Sequence, residues 1–86
     1  MKLIITIIPD NNRDSVSLAL TERKFRVTQI ASSGGFLRRG NSTLLVGVDD
    51  EQLDEAVSII KQTVDNTNSK HEGVLFVIKV DKFIHF

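Results

Sequence analysis

Residues 41–64, "NSTLLVGVDDEQLDEAVSIIKQTV", are the most informative part of the sequence about the fold, because they join a short apolar segment directly to an amphipathic one. Residues 41–48 are mostly aliphatic and β-branched after a polar start, which favours a strand. Asp49 followed by Gln52 resembles a capping box, and it predicts a helix over 49–64. The apolar residues of this helix recur with helical spacing and form one stripe: Leu53, Ala56, Val57, Ile60 and Val64.

Outward from this stretch, the chain alternates further strands with one more helix. Strands are predicted at 3–8, 25–32 and 74–80, and a helix from near Arg13 to around Lys24, capped by Asn11 or Asn12. The resulting order, βαββαβ, matches the ferredoxin-like split βαβ arrangement, an antiparallel four-stranded sheet with both helices on one face. We therefore predict a single α+β domain over residues 1–86. The first and last strands are apolar on both faces, so we predict them at the centre of the sheet.

Two helices can cover only one face of such a sheet, yet apolar residues point to both faces. Besides the first and last strands, Ile30 and Leu45 add apolar side chains to the uncovered face. Monomeric proteins rarely expose a contiguous apolar patch of more than a few hundred Å². The sequence therefore predicts a homo-oligomer with closed cyclic symmetry that covers this face. The alternative is that these residues are tolerated surface hydrophobic residues.

Composition excludes several classes of function. The 11 Lys and Arg balance the 11 Asp and Glu, so no basic field favours nucleic acid or a membrane surface. The absence of cysteine excludes disulfides and thiolate chemistry and suits the cytoplasm. The apolar run at the start is far shorter than the roughly 20 residues of a membrane span. His71 and His85 have no second ligand at helical or turn spacing, so no metal site is predicted.

The stretch "SSGGFLRRGNST", residues 32–43, suits neither a helix nor a strand. Gly34 and Gly35 permit unusual backbone angles and expose N–H groups to a ligand. Phe36 can stack on a base, and the arginine pair at 38–39 can contact phosphate oxygens. These features suit a nucleotide, although a Gly-Gly loop with solvated arginines is the more common explanation. No P-loop is present and no serine here has a histidine nearby to act as its base, so no enzyme is predicted.

Residues 25–63, "FRVTQIASSGGFLRRGNSTLLVGVDDEQLDEAVSIIKQT", resemble the PII-like cyclic di-AMP receptor family. The most specific part is "GGFLRRGN" followed by "LLVGV", and the likeness extends to "MKLIITII" at the start and "LFVIKVDKFIHF" at the end. The resemblance implies a ferredoxin-like subunit, a PII-like homotrimer and no enzymatic activity. It also implies that cyclic di-AMP, as a regulatory ligand and not a cofactor, is held in each cleft between neighbouring subunits. A nucleotide-responsive receptor of this kind acts on a protein target that the sequence does not identify.

The resemblance also assigns roles to particular residues. It places Arg26 and Thr28 at the cleft, in contact with phosphate or adenine. Phe36 and Leu37 would close over a base, and Asn41 would help hold the loop that presents them. The bare backbone of Gly47 would let adenine approach closely. The complete predicted ligand-binding set is Arg26, Thr28, Gly35, Phe36, Leu37, Asn41 and Gly47.

The chain departs from the family pattern at three places. Lys24 stands where the family usually has asparagine, and His85 stands where a glutamine is common. The connection at 65–73, "DNTNSKHEG", replaces a loop of several tens of residues in typical receptors. These departures leave an alternative open: a loop-shortened relative that keeps the trimer and its cleft but binds another small molecule or only a protein.

Overall fold

The fold has the predicted βαββαβ order. The computed structural model describes residues 1–30, 40–67 and 73–86. In chain order the elements are β1 (Lys2–Pro9), α1 (Asp10–Glu22), β2 (Arg26–Ile30), β3 (Asn41–Val48), α2 (Leu53–Thr67) and β4 (Val74–Lys79). A 3-10 turn, Asp50–Gln52, precedes α2. The α+β ferredoxin-like class predicted from the sequence is confirmed.

The four strands form one antiparallel sheet in the order β2-β3-β1-β4. The prediction that the first and last strands lie at its centre is correct for β1 and wrong for β4, which is an edge strand. β4 is apolar on both sides although it lies at the edge of the sheet, because each of its faces adjoins an apolar surface. Leu75 packs against the core, whereas Phe76 and Ile78 lie on the face that no helix covers and are about half exposed.

The core lies between the other face of the sheet and the two helices. The predicted α2 stripe is confirmed, because Ala56, Ile60 and Val64 are buried and Leu53 and Val57 pack beside them. The strands and α1 contribute the remaining buried apolar residues: Ile4, Ile8, Val16, Leu20, Phe25, Leu44, Val46 and Val48. Within the described ranges, neither helix is long and apolar enough to cross a membrane.

Both helices begin differently from the prediction. α1 starts at Asp10, directly after Pro9, whose φ of −59° already suits helix entry. The predicted caps are therefore wrong, and Asn12 is buried inside α1 instead. The Asp10 amide donates to the Gly40 carbonyl at 2.7 Å, and the Ser42 hydroxyl donates to the Asp10 carboxylate, so α1 is tied to the start of β3.

The predicted capping box at Asp49 is also wrong in its chemistry. The Asp49 side chain makes no capping hydrogen bond. Its carbonyl accepts the Gln52 amide at 2.9 Å, so a 3-10 turn leads into α2. The helix itself lies where the apolar stripe predicted, because burial of that stripe and not the cap decides its position.

The end of α1 fixes where β2 begins. The Lys24 amide donates to the Thr21 carbonyl at 2.9 Å and the Phe25 amide to the Leu20 carbonyl at 3.0 Å, which is the Schellman pattern. Lys24 has a φ of 69° and is the one described residue other than glycine with a positive φ. Leu20 and Phe25 are both buried and supply the hydrophobic contact that accompanies this motif.

Candidate functional site

Strand register brings three predicted ligand-binding residues together on the face of the sheet that no helix covers, here called the helix-free face. Arg26 on β2 pairs with Gly47 on β3, and Gly47 in turn pairs with Leu3 on β1. Thr28 lies two residues after Arg26, and alternate residues of a strand share a face. Arg26, Thr28 and Gly47 therefore form neighbouring positions on one surface, at the end of the sheet where β1 and β2 begin.

These three residues line a cavity of about 490 Å³, here called the Arg26 cavity. Its volume lies within the range of about 300–1,000 Å³ that small-molecule sites occupy. The apolar part of the wall includes Leu3 and Leu45 from the sheet and Val80 and Phe83 from the segment after β4. A few polar groups in an otherwise apolar concave surface are the usual composition of a binding site.

The described charged residues that line the Arg26 cavity are all basic. Lys2, Lys24 and Arg26 line it, and none of its described lining residues is acidic. Neither Lys24 nor Arg26 forms an ion pair with a described residue. Cations without acidic partners beside an open cavity attract an anionic ligand.

Asp50, which pairs with the cavity-lining residue Met1, is already engaged. One Asp50 oxygen lies 3.2 Å from the Met1 ammonium. The hydrogen bond from this ammonium, followed by its charge, lowers the pKa of Asp50, and Lys2 and Lys79 act in the same direction. Asp50 is therefore ionised and paired with the Met1 ammonium.

Gly47 contributes no side chain to the cavity that it lines. A Cβ atom added there would lie 3.1 Å from the Cε atom of Met1, which is the free end of a flexible side chain. The sheet therefore has room for a small side chain at position 47 if Met1 shifts. The absence of one keeps the backbone open to a ligand.

Asn41 does not join this group. It pairs with Pro9 at the opposite end of β3, six residues and about 20 Å from Gly47, and it does not line the cavity. The predicted residues Gly35, Phe36 and Leu37 lie outside the described residues. The structure thus brings together three of the seven predicted residues and separates one from them.

A second cavity, of about 300 Å³, lies between α2 and the strands β1 and β4. Thr6, Ile60, Val64 and Gly73 are among its lining residues, and none of the predicted ligand-binding residues is. The Thr6 hydroxyl is occupied, since it donates to the Val74 carbonyl at 2.9 Å. In the described part of the chain, no group of three or more histidine or acidic residues is placed to hold a metal ion.

Sequence reasoning missed most of the cavity wall. Leu3, Leu45 and Phe83 were not predicted as site residues, although all three line the Arg26 cavity. Strand pairing could have identified Leu3 and Leu45, because Leu3 pairs with Gly47 and Leu45 pairs with Thr28. Phe83 has no such pairing, since it follows β4 and its position depends on the path of the last residues.

The chain is similar to a known protein family and to a solved structure. Residues 1–72 match the family described as "Cyclic-di-AMP receptor". A solved structure, "The crystal structure of a functionally unknown protein from Pediococcus pentosaceus ATCC 25745", is similar with a TM-score of 0.80 and 27% identity. The match covers 99% of this chain and 96% of that one, so the two chains are similar in length as well as in fold. The family match spans most of the chain, and the protein therefore belongs to the cyclic di-AMP receptor family, which is a family of receptors and not of enzymes.

Proposed function

We propose that this protein is a non-catalytic, cytoplasmic signalling receptor that binds cyclic di-AMP in the Arg26 cavity. One observation carries the proposal: Arg26, Thr28 and Gly47 come from two strands into a single cavity of about 490 Å³. Family membership supplies the ligand class, and the geometry supplies a site with suitable chemistry.

The phosphates of the ligand would be held by Arg26 with help from Thr28. A guanidinium group offers a planar fork of donors that matches two phosphate oxygens. The Arg26 side chain makes no ion pair within the described ranges, so it loses no internal partner on binding. The Thr28 hydroxyl, on the same face, can donate a further hydrogen bond to a phosphate oxygen or accept one from the adenine amino group.

The adenine would lie against the apolar part of the wall. Leu3 and Leu45 present aliphatic surface on the sheet, and Phe83 presents a ring that is 67% exposed. A flat base buries its faces well against such side chains. The bare backbone at Gly47 lets the edge of the base approach the strand.

The helix-free face supports a homotrimer. Val74, Phe76 and Ile78 on β4 are 45–51% exposed, and each pairs with an apolar residue of β1. The result is a contiguous apolar surface on one side of the sheet, larger than scattered surface hydrophobic residues would form. We propose that three copies turn this face toward a common axis, so that the Arg26 cavity at its rim becomes a cleft between subunits.

Signalling would follow from the position of the site on β2. Arg26 and Thr28 lie on the strand that leads directly into residues 31–39, which contain the predicted Gly35, Phe36 and Leu37. Ligand contacts on β2 and on this segment would therefore be coupled, and we propose that the coupling alters how a downstream protein target is bound. Slower hydrogen exchange of residues 34–40 in the presence of cyclic di-AMP is the expected signature.

Isothermal titration calorimetry with cyclic di-AMP, ATP and cyclic di-GMP tests the proposal. Cyclic di-AMP should bind most tightly, with one molecule per chain. Arg26→Ala should weaken binding by about 1.5–3 kcal/mol, the range for hydrogen bonds to charged groups. Arg23→Ala is the matched control, because Arg23 faces Glu55 at 3.6 Å and does not line the cavity. Tighter binding of ATP, or no binding of any of the three, would contradict the proposal and favour the loop-shortened alternative.

A further inference from the structure

We propose that Lys24 is a phosphate-binding residue that, together with Arg26, forms a two-cation clamp in the Arg26 cavity. The proposal rests on the proposed function and adds to it a second cation, which a ligand with two phosphates can engage together with Arg26. Position 24 is thereby assigned a charge-based role and not merely a structural one at the end of α1.

The backbone at Lys24 is the first observation. Lys24 follows the last residues of α1 in a Schellman motif, at the position where glycine is the usual residue because φ is positive. A side chain with a Cβ atom is strained in this conformation, and lysine has no short polar group to compensate locally. Glycine or asparagine would serve the motif better, so the motif alone gives no reason for lysine.

The surroundings of the side chain are the second observation. Lys24 and Arg26 both line the cavity, and Lys2 is a third basic lining residue. No acidic residue is among the described lining residues, and neither Lys24 nor Arg26 has an ion-pair partner in the described ranges. Placing like charges beside one cavity costs repulsion in the empty chain, and an anion that bridges them removes that cost.

The two hydrogen bonds of the Schellman motif hold the Lys24 backbone in place. Phe25, the next residue, is buried against the core and anchors the chain between Lys24 and Arg26. The two cations therefore start from fixed positions two residues apart, and only their flexible ends adapt to a ligand. A cyclic dinucleotide presents two separate phosphates, one for the point charge of lysine and one for the fork of arginine.

The Lys24→Gly variant separates function from stability. Glycine removes the backbone strain, so the melting temperature without ligand should rise, by about 2–5 °C. The same change removes a cation, so the affinity for cyclic di-AMP should fall about 10- to 100-fold. The affinity of the variant should also depend less on NaCl between about 0.05 and 0.3 M.

Two further variants serve as controls. Lys24→Arg keeps the positive charge at position 24. Its affinity for cyclic di-AMP should therefore stay within about threefold of the wild-type value. Lys82→Gly removes the same charge from the segment after β4, does not line the cavity, and should leave affinity unchanged. Affinity that follows the charge at position 24 and not the net charge of the chain is the expected pattern.

Each other outcome overturns the proposal in a recognisable way. Wild-type affinity in Lys24→Gly would show that Lys24 is a solvated surface residue, and the proposed function would stand. A joint fall of melting temperature and affinity would show a structural role at the helix end. A wild-type protein that does not bind cyclic di-AMP at all would overturn both this inference and the proposed function.

Discussion

The two faces of the sheet are both apolar in sequence, yet they differ in how they are completed. On the helix-covered face, Ile4 and Leu44 are fully buried by α1 and α2. On the helix-free face, Phe76 is 51% exposed, and the rim carries a cavity lined by cations. The first face is closed within one chain and accounts for its stability. We propose that the second face is completed by other copies and by a ligand, so the two roles can be changed separately by mutation.

The largest effect is expected from the closed face. Leu44→Ala removes a fully buried side chain at the centre of the sheet and should lower the free energy of unfolding by about 2–5 kcal/mol. Chemical denaturation measures this change. Leu18→Ala is the matched control, because Leu18 is 61% exposed on α1 and should cost little. Equal losses in the two variants would contradict the distinction between buried and open surfaces.

The next effect concerns assembly through the open face. Phe76→Asp places a charge in the middle of the apolar surface of β4 and should convert the proposed trimer into monomers, because burying an unpaired carboxylate is costly. Light scattering should report three times the 9.6 kDa chain mass for the wild type and one for the variant. Circular dichroism should stay unchanged, since the core does not include Phe76. A trimer that survives this substitution would show that another surface holds it together.

A smaller effect is expected at Gly47. Gly47→Ala should weaken cyclic di-AMP binding by about 1–3 kcal/mol, the usual cost of an added methyl group at a closely packed contact. The unfolding free energy should change little, because the new Cβ atom meets only the flexible end of Met1. Calorimetry and thermal melting on the same sample separate the two. A lower melting temperature with wild-type affinity for cyclic di-AMP would show instead that Gly47 serves the stability of the sheet and not ligand binding.

The smallest effect is electrostatic and depends on pH. The pKa of Asp50 is lowered in the folded chain, so its ionised form contributes stability above the unfolded pKa, and this contribution is lost as pH falls through the folded value. Asp50→Asn should therefore melt slightly below the wild type at neutral pH. The difference should disappear once the pH falls well below the ordinary carboxylate pKa of about 3.9. A difference that grows on acidification would contradict this sign.

Much of the fold followed from local patterns, because burial of an apolar stripe fixes where α2 lies. The position of β4 did not follow, since a strand can be apolar on both sides either at the centre of a sheet or at an edge with an open face. The start of α1 was missed because Pro9 begins the helix without a side-chain cap. For β4 the deciding contact is its pairing with β1, which lies far away in sequence.

The site residues predicted from the family resemblance lie together only where strand pairing makes them neighbours. Arg26 and Thr28 share a face by alternation, and Gly47 joins them because it pairs with Arg26. Asn41 is separated from them by the length of β3, which resemblance alone does not show. The positive φ of Lys24 also could not be predicted, because lysine is uncommon in that conformation.

We propose that cyclic di-AMP binds at the rim of the helix-free face, and amide chemical-shift changes measured by NMR during a titration with cyclic di-AMP test this location. The largest shifts should fall at Arg26, Thr28 and Gly47, with small shifts at Ile60, Val64 and Gly73 around the second cavity. Largest shifts at Ile60, Val64 and Gly73, with Arg26 and Gly47 unmoved at saturation, would contradict it.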